Sequence, residues 1–220
     1  MDNKLGTAYL AGAPDRYTGK PFAGINGDTE GACGRTFTKA GLEGILSQAG
    51  LCSYRFYYAL PDYRVTQVVY TDAYMPVNSI RDRVTNYYVD KNPLVMDEAC
   101  LYDYAIQNKI LDRLANSFLV EVSADGCFAD INCAIVSSDR AADSAFATVI
   151  RRDSVSKRAL YGEGGEALER LYQNMRELQA QGVQVVRHTL SDGILSMPFV
   201  RAKNLMCHLQ EVVHWDSTAF

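Results

Sequence analysis

The stretch from Arg35 to Asp72 constrains the fold most, because it contains a capped helix followed by two sheet-forming segments. The hydroxyl of Thr38 is a suitable N-cap, since it can accept a hydrogen bond from a free backbone N–H of the first turn. Gly50 stands where a left-handed glycine commonly ends a helix. Between them an apolar stripe recurs at helical spacing. The stripe comprises Leu42, Ile45, Leu46 and Ala49.

Two segments rich in Tyr, Phe and Val follow this helix, and such residues suit a pleated sheet. They span 53–60 and 64–71, and Pro61-Asp62 supplies the turn between them. The pattern alone therefore predicts an αββ corner, which any α/β domain can contain.

Composition narrows the possible functions. A net charge of −4 and a pI near 5.4 argue against a general nucleic-acid binder, which needs a basic surface to meet phosphates. The 220 residues can form one domain or two small ones, and a hydrophobic content of 48% is ample for a core. The sequence contains neither a long apolar span nor a signal-peptide pattern, so we expect a cytoplasmic protein.

The six cysteines and three histidines do not form a metal-binding pattern. Cys127 and Cys133 are too far apart for a CxxC pair, and neither lies near His188, His208 or His214 in the sequence. We therefore expect no metal site, and free, mostly buried cysteines in a reducing compartment.

Residues 35–63 show the order Arg-Thr-Phe-Thr, helix, Ala-Gly, Tyr-Arg-Phe-Tyr-Tyr and Pro-Asp-Tyr. This order resembles the end of a class I S-adenosylmethionine-dependent methyltransferase, in which a last helix leads into an antiparallel pair of strands that closes the sheet. Residues 2–12 and 15–19 are similar to stretches of a bacterial group of these proteins that is associated with glycosyltransferases and surface-polysaccharide (lipopolysaccharide) synthesis. In that group a histidine usually precedes or occupies the position of Tyr17, whereas this chain has none there.

The resemblance implies substrate contacts from Asn3, Asp15 and Thr18, and S-adenosylmethionine as the cofactor of the parent family. Residues 1–34 are rich in glycine but contain no GxGxxG turn, so we expect this chain alone to bind the cofactor poorly. We also expect this segment to be mostly loop and the least stable part of the fold. The implied partners are the missing methyltransferase half or a glycosyltransferase, and the sequence singles out no catalytic residue.

The middle of the chain predicts a polar, turn-rich linker or lid over 73–93, followed by two short helices. Asp97 begins the first helix, and a break falls near Asn108. The predicted apolar stripe comprises Ala99, Leu101, Tyr104, Ala105, Ile110, Leu111 and Leu114.

From Phe118 the hydrophobic period changes to two, which predicts an antiparallel meander, then a helix over 165–181 and a hairpin. Asp125-Gly126 is the first predicted turn of the meander, and Asp192-Gly193 is the turn of the hairpin. The predicted strands are 118–123, 132–138, 145–150, 153–160, 183–190 and 194–200, and a final short helix is predicted over 204–215.

This order, with a lysine in the strand before the helix, resembles the first lobe of a protein-kinase-like phosphotransferase. The resemblance implies that Lys157 meets the α- and β-phosphates of ATP while a helix carboxylate holds it. Glu169 completes the predicted nucleotide-binding pair, and Glu166 and Glu177 remain alternatives. The implied phosphate-covering turn is 137–140, and the implied path to the hinge is 197–200.

These features predict a mixed α/β (α+β) fold: the end of a Rossmann-like methyltransferase sheet, then an antiparallel meander with a packed helix, as in a kinase N-lobe. The predicted divisions are 1–75, a helical linker over 76–117, and 118–220. Three functional hypotheses follow: a partial methyltransferase-family protein that is inactive alone, an ATP-binding phosphotransferase-like module, and a non-catalytic partner of a glycosyltransferase.

Overall fold

The computed structural model describes residues 1–28, 30–85, 94–137 and 139–203, and beyond them residues 205, 208, 209 and 212. Most of the predicted final helix and residues 86–93 of the predicted linker lie outside the described residues. The described part is a mixed α/β fold with one eight-stranded antiparallel sheet.

Six α-helices lie in the described ranges: α1 (Thr7–Leu10), α2 (Ala23–Asn26), α3 (Lys39–Gln48), α4 (Glu98–Gln107), α5 (Leu111–Leu114) and α6 (Gly165–Ala180). The strands are β1 (Tyr54–Leu60), β2 (Val68–Thr71), β3 (Ser117–Val122), β4 (Cys133–Val136), β5 (Phe146–Ile150), β6 (Ser154–Ala159), β7 (Thr189–Ser191) and β8 (Ile194–Pro198). Their order across the sheet is β3-β1-β2-β4-β5-β6-β8-β7.

The predicted αββ corner is confirmed. Thr38 Oγ1 accepts a hydrogen bond from the Gly41 amide at 3.0 Å, and Gly50 follows α3 with φ +72°. Strand β2 begins at Val68, four residues later than predicted, because the Asp62 carboxylate holds 62–66 in a turn. Of the predicted apolar stripe on α3, only Leu42 is buried.

The predicted meander is wrong at its first step. Strand β3 pairs with β1 and not with β4, and Phe118 lies opposite Tyr58. The rings of these two residues pack edge to face at 6.1 Å. The connection over 123–132 therefore crosses two strands before β4, and Arg55 on β1 donates a hydrogen bond to the carbonyl of Ala129 at 2.6 Å. Strand alternation indicates which face is buried but not which strand is the neighbour.

The two helices after the linker are present and break at Asn108, as predicted. Asp97 caps α4 by accepting a hydrogen bond from the Ala99 amide at 2.9 Å. The inward face differs from the predicted stripe, since Tyr104 is 64% exposed while Glu98 and Tyr102 are buried. Hydrogen bonds of Glu98 and Tyr102 place these residues on the inward face of α4, and a prediction from hydrophobic periodicity cannot detect such polar contacts.

Two hydrophobic clusters lie against the sheet. The first joins Leu42 of α3, Tyr102 of α4 and Leu111 of α5 to large side chains of β1 and β2. The second joins Leu168 of α6 to Phe146 of β5 and Leu195 of β8. The domain boundaries at 75 and 117 stay a prediction, and β3 belongs to the sheet region of the first cluster.

The helix and hairpin of the second cluster are confirmed. Helix α6 turns Leu168 and its neighbours towards the sheet, and Gly182 follows it with φ +84°. Strands β7 and β8 form the predicted hairpin around Asp192 and Gly193, which both have positive φ, although β7 covers only Thr189–Ser191 and not the predicted 183–190.

The expectation of mostly buried cysteines is wrong for the part of the chain that is described. Cys133 is buried in the first cluster, whereas Cys33, Cys52 and Cys127 are exposed.

Candidate functional site

The N-terminal segment is fastened to the sheet by buried polar groups and not by an apolar face. The Asn3 side chain is fully buried and donates hydrogen bonds to the carbonyls of Arg113 and Ala115, both at 2.7 Å. Its backbone amide donates to the carbonyl of Asn116 at 2.8 Å. The predicted loop is therefore well anchored over its first part, because a buried amide that is fully hydrogen-bonded holds one conformation.

A second set of buried polar side chains joins α1 and α4. Glu98 Oε1 accepts hydrogen bonds from Thr7 at 2.6 Å, Tyr102 at 2.9 Å and Asn116 at 2.6 Å. Asn116 also donates to the carbonyl of Pro61 at 2.9 Å, which is in the turn after β1. These contacts hold the N-terminal segment and the start of the turn over 62–66 against α4.

Two exposed turns follow these anchored residues, and an aspartate carboxylate stabilises each turn by accepting hydrogen bonds from backbone amides. Asp15 Oδ1 accepts hydrogen bonds from the amides of Tyr17 and Thr18 at 3.0 and 3.1 Å. Asp62 Oδ1 accepts from the amides of Arg64 and Val65 at 2.7 and 3.2 Å. Each turn thus presents an arginine and a tyrosine from a fixed backbone.

The two turns meet at a group that we call the Arg–Tyr cluster, which consists of Arg16, Tyr63 and Arg64. The Arg16 guanidinium donates a hydrogen bond to the Tyr63 hydroxyl and lies 3.3 Å from the Asp2 carboxylate. Arg64 binds Asp62 Oδ2 through Nε at 3.1 Å and through a terminal nitrogen at 2.6 Å. About half of each arginine side chain stays exposed.

A narrow cleft adjoins this cluster and is lined by Lys4, Tyr9, Asp15 and Phe22. Burial first, and then the Asp2 carboxylate, raises the pKa of Tyr9 to about 12, so the phenol stays protonated near neutral pH. Phe22 has φ +61°, which is unusual for a bulky side chain and marks local strain.

A buried lysine holds α3, β1 and α5 together. Lys39 Nζ lies 2.7 Å from the Tyr58 hydroxyl, 2.9 Å from Asp112 and 3.6 Å from Asp72. Tyr58 in turn donates to Asp72 at 2.5 Å. Burial and the hydrogen bond to Asp72 raise the pKa of Tyr58 far above its ordinary value, so its hydroxyl serves as a donor and not as a base. The contacts of Lys39 therefore stabilise the packing of α3 against β1 and α5.

Lys157 is the predicted nucleotide-binding lysine. It belongs to a row of residues that lie opposite one another on neighbouring strands, on the sheet face that the helices cover. Lys157 is half-buried, and its ammonium lies 4.7 Å from the centre of the Phe146 ring. Burial, and after it the Arg140 charge, lowers its pKa. The row runs Leu60, Val68, Ile135, Thr148, Lys157 and Leu195.

The structure does not bring the predicted glutamates to this lysine. Glu166, Glu169 and Glu177 are exposed and line one outer surface of α6, whereas Leu168 on the opposite side packs on the sheet. In the part of the chain that the structure describes, no carboxylate lies within ion-pair distance of Lys157.

The side chains of the three predicted substrate contacts are engaged in hydrogen bonds within the protein. Asn3 uses its amide on backbone groups, Asp15 uses Oδ1 on its own turn, and the Thr18 hydroxyl donates to Asp15 at 3.3 Å. Their role towards a substrate stays a prediction. Arg16 and Arg64 were not among the predicted site residues. The signal that could have indicated them is an arginine–tyrosine pair directly after an aspartate, at Asp15 and at Asp62.

Among the described residues no group of three or more His, Cys, Asp or Glu side chains is arranged to hold a metal ion. None of the helices in those ranges has the length and apolar character needed to cross a membrane. Comparison with family models, with curated proteins and with solved structures gives no match to this chain.

Proposed function

We propose that the chain is the closing part of an S-adenosylmethionine-dependent methyltransferase of the glycosyltransferase-associated group, which acts in bacterial surface-polysaccharide synthesis in the cytoplasm. The observation that supports this most is the direct passage from α3 into the antiparallel β1–β2 pair. In this proposal the Rossmann-like, cofactor-binding part of the enzyme is a separate body, because the outer edges of the β1–β2 pair are already occupied by β3 and β4.

The buried contacts of Asn3 and Asn116 add support, because they order the segment that resembles the family before any partner binds. A preformed surface lowers the entropic cost of association. The chain supplies the acceptor side of the site in this proposal, and a second, glycine-rich half supplies the backbone N–H groups that hold the cofactor.

The test is a reconstitution. The chain is mixed with the methyltransferase half encoded by a neighbouring reading frame, and transfer of labelled methyl groups from S-adenosylmethionine to a saccharide acceptor is measured. Each half alone serves as the control. We expect transfer only from the mixture, and weak cofactor binding by this chain alone in calorimetry. Tight, micromolar cofactor binding by this chain alone would contradict the proposal.

A second candidate function is supported by Lys157, namely an ATP-binding phosphotransferase-like module. Counted from β4, Lys157 lies on the third strand, which is the position of the phosphate-binding lysine in protein kinases. It lies on the face that α6 covers, and no described carboxylate is paired with it. A half-buried ammonium without a carboxylate partner favours binding of an anion.

This candidate is tested by titrating Mg-ATP into three proteins: wild type, Lys157→Met and Lys20→Met. Lys20 is a suitable control because it forms an exposed ion pair far along the chain. Loss of binding in Lys157→Met alone supports the nucleotide role. Because Glu169 points away from the sheet side, Glu169→Gln should bind as wild type does, and a loss there would contradict the placement of α6.

A further inference from the structure

The side chains of the Arg–Tyr cluster are held in place at the surface, and they belong to neither of the two hydrophobic clusters. Arg16 and Tyr63 come from two separate turns, and the buried carboxylate of Asp15 and the half-buried one of Asp62 fix those turns. Side chains that only stabilise a fold seldom need two independently braced turns. Exposed polar and aromatic groups held on rigid turns are typical of binding sites.

The charges of the cluster are balanced. Arg16 faces Asp2 at 3.3 Å, and Arg64 forms two hydrogen bonds to Asp62. Each positive charge is therefore neutralised by its own carboxylate, and an added phosphate or carboxylate would gain little Coulomb energy. Balanced charge disfavours an anionic ligand.

The arginines still have unused hydrogen-bond donors. A guanidinium has five N–H groups. Arg64 uses Nε and one terminal nitrogen on Asp62, and Arg16 uses one terminal nitrogen on Asp2 and Tyr63. The other N–H groups have no partner in the described part of the chain, and they lie on half-exposed side chains. The neighbouring Asp2 and Asp62 carboxylates are largely buried and already accept hydrogen bonds, so the cluster offers a ligand mainly N–H donors.

The Tyr63 ring provides an apolar platform next to these donors. The residue is 41% exposed. The two guanidinium carbons lie 5.8 and 5.7 Å from the ring centre, near the outer limit for a cation–π contact. Both guanidinium groups lie near this limit, and the exposed part of the Tyr63 side chain is accessible to a ligand.

We propose that the Arg–Tyr cluster binds a neutral saccharide. The hydroxyl oxygens of a neutral sugar can accept hydrogen bonds from the unused guanidinium N–H groups, and the C–H face of the sugar ring packs on the exposed part of Tyr63. The inference rests on the proposed function, since it assigns the acceptor class of that enzyme to this surface.

The experiment uses the full chain and saturation-transfer NMR with methyl α-glycosides of glucose, galactose, mannose and rhamnose, with inorganic phosphate as the anionic probe. We expect at least one glycoside to bind and phosphate not to bind. Tyr63→Ala and Arg64→Gln should each weaken glycoside binding by at least about tenfold. Tyr63→Phe keeps the ring and should bind more tightly than Tyr63→Ala. Circular dichroism of each variant confirms that it is folded.

Tyr161→Ala is the matched control, because Tyr161 is a 52% exposed tyrosine outside the cluster. Its binding should equal that of wild type. The proposal is overturned if no glycoside binds, if Tyr63→Ala binds as wild type does, or if phosphate binds with the same dependence on Arg64. This test needs no cofactor and no second protein. Failure of the reconstitution with saccharide binding intact would therefore refute the methyltransferase proposal alone, and the converse would refute the saccharide site alone.

Discussion

Asn116 donates its side-chain amide to Glu98 Oε1 at 2.6 Å, deep between α4 and the N-terminal segment. The same side chain donates to the carbonyl of Pro61 and accepts a hydrogen bond from the Ala8 amide at 2.8 Å. A single residue thus joins three other segments of the chain.

We expect Asn116→Asp to destabilise the fold by at least about 2 kcal/mol, because it places a second carboxylate beside Glu98 and removes two donors from buried acceptors. Urea unfolding followed by circular dichroism measures the change. Asn174→Asp makes the same chemical change on the exposed surface of α6 and should alter the free energy of unfolding by no more than about 0.5 kcal/mol. Equal effects of the two substitutions would refute the importance of the buried contacts.

Lys39→Met tests the buried lysine. The substitution keeps the apolar length of the side chain but removes the cation from Asp112 and Asp72 and the hydrogen bond to Tyr58. Because Asp72 is well exposed, water relieves part of the loss, and we expect a destabilisation of about 1–3 kcal/mol.

Lys20→Met is the comparison for this prediction. Lys20 pairs with Asp28 at 3.4 Å, and both side chains are more than half exposed, so its removal should cost about 0–1 kcal/mol. Thermal unfolding of both variants in parallel gives the difference. A larger effect at Lys20 than at Lys39 would be incompatible with the burial of Lys39.

The elements that the sequence predicted well are those in which local signals agree. The Thr38 cap and the turn at Asp192 each depend on residues within a few positions, and both are as expected. Helix α6 also followed the prediction, because one face is apolar and Gly182 ends it.

The pairing of β3 could not be predicted in this way. Its residues alternate as a strand should, yet the neighbour is β1, which precedes it by more than fifty residues. Packing of Phe118 against Phe56 and Tyr58 favours that neighbour, and such contacts have no periodic trace in the sequence.

The site was predictable only in part. Sequence similarity directed attention to Asn3, which the structure shows bound to the backbone before β3, and to Asp15, which it shows bound to its own turn. The meeting of Arg16 with Tyr63 depends on how two turns 47 positions apart fold, and no local pattern reports that. The inward position of Glu98 was missed because a buried carboxylate interrupts the apolar stripe on which the prediction relied.

Leu168→Ala tests the second hydrophobic cluster. Leu168 is 1% exposed and packs with Phe146 and Leu195, so truncation leaves a cavity and should cost about 2–5 kcal/mol. Leu178 is on the same helix but is 45% exposed, and Leu178→Ala should change stability by less than about 1 kcal/mol. The ratio of the two effects, measured by urea unfolding, reports whether α6 docks as described. Similar values for both would contradict the docking.

The last prediction concerns stability at alkaline pH. Burial is the largest cause that raises the pKa of Tyr9, Tyr58, Tyr70 and Cys133. For Tyr9 the pKa rises from 10.0 to about 12, and for Cys133 from 9.0 to about 12. The unfolded chain therefore loses these protons at lower pH than the folded chain does. The stability that the neutral groups contribute is fully present below the unfolded pKa values, and it is lost as pH rises through the folded ones.

We expect a constant urea midpoint from neutral pH to about pH 9, and a steep fall from there to about pH 12. Ultraviolet difference absorbance should show that the phenols of Tyr9, Tyr58 and Tyr70 lose their protons only as the chain unfolds. Tyr70→Phe removes one buried phenol and should move the alkaline midpoint to higher pH. A single ordinary titration of all tyrosines before any loss of helical signal would contradict the burial of these groups.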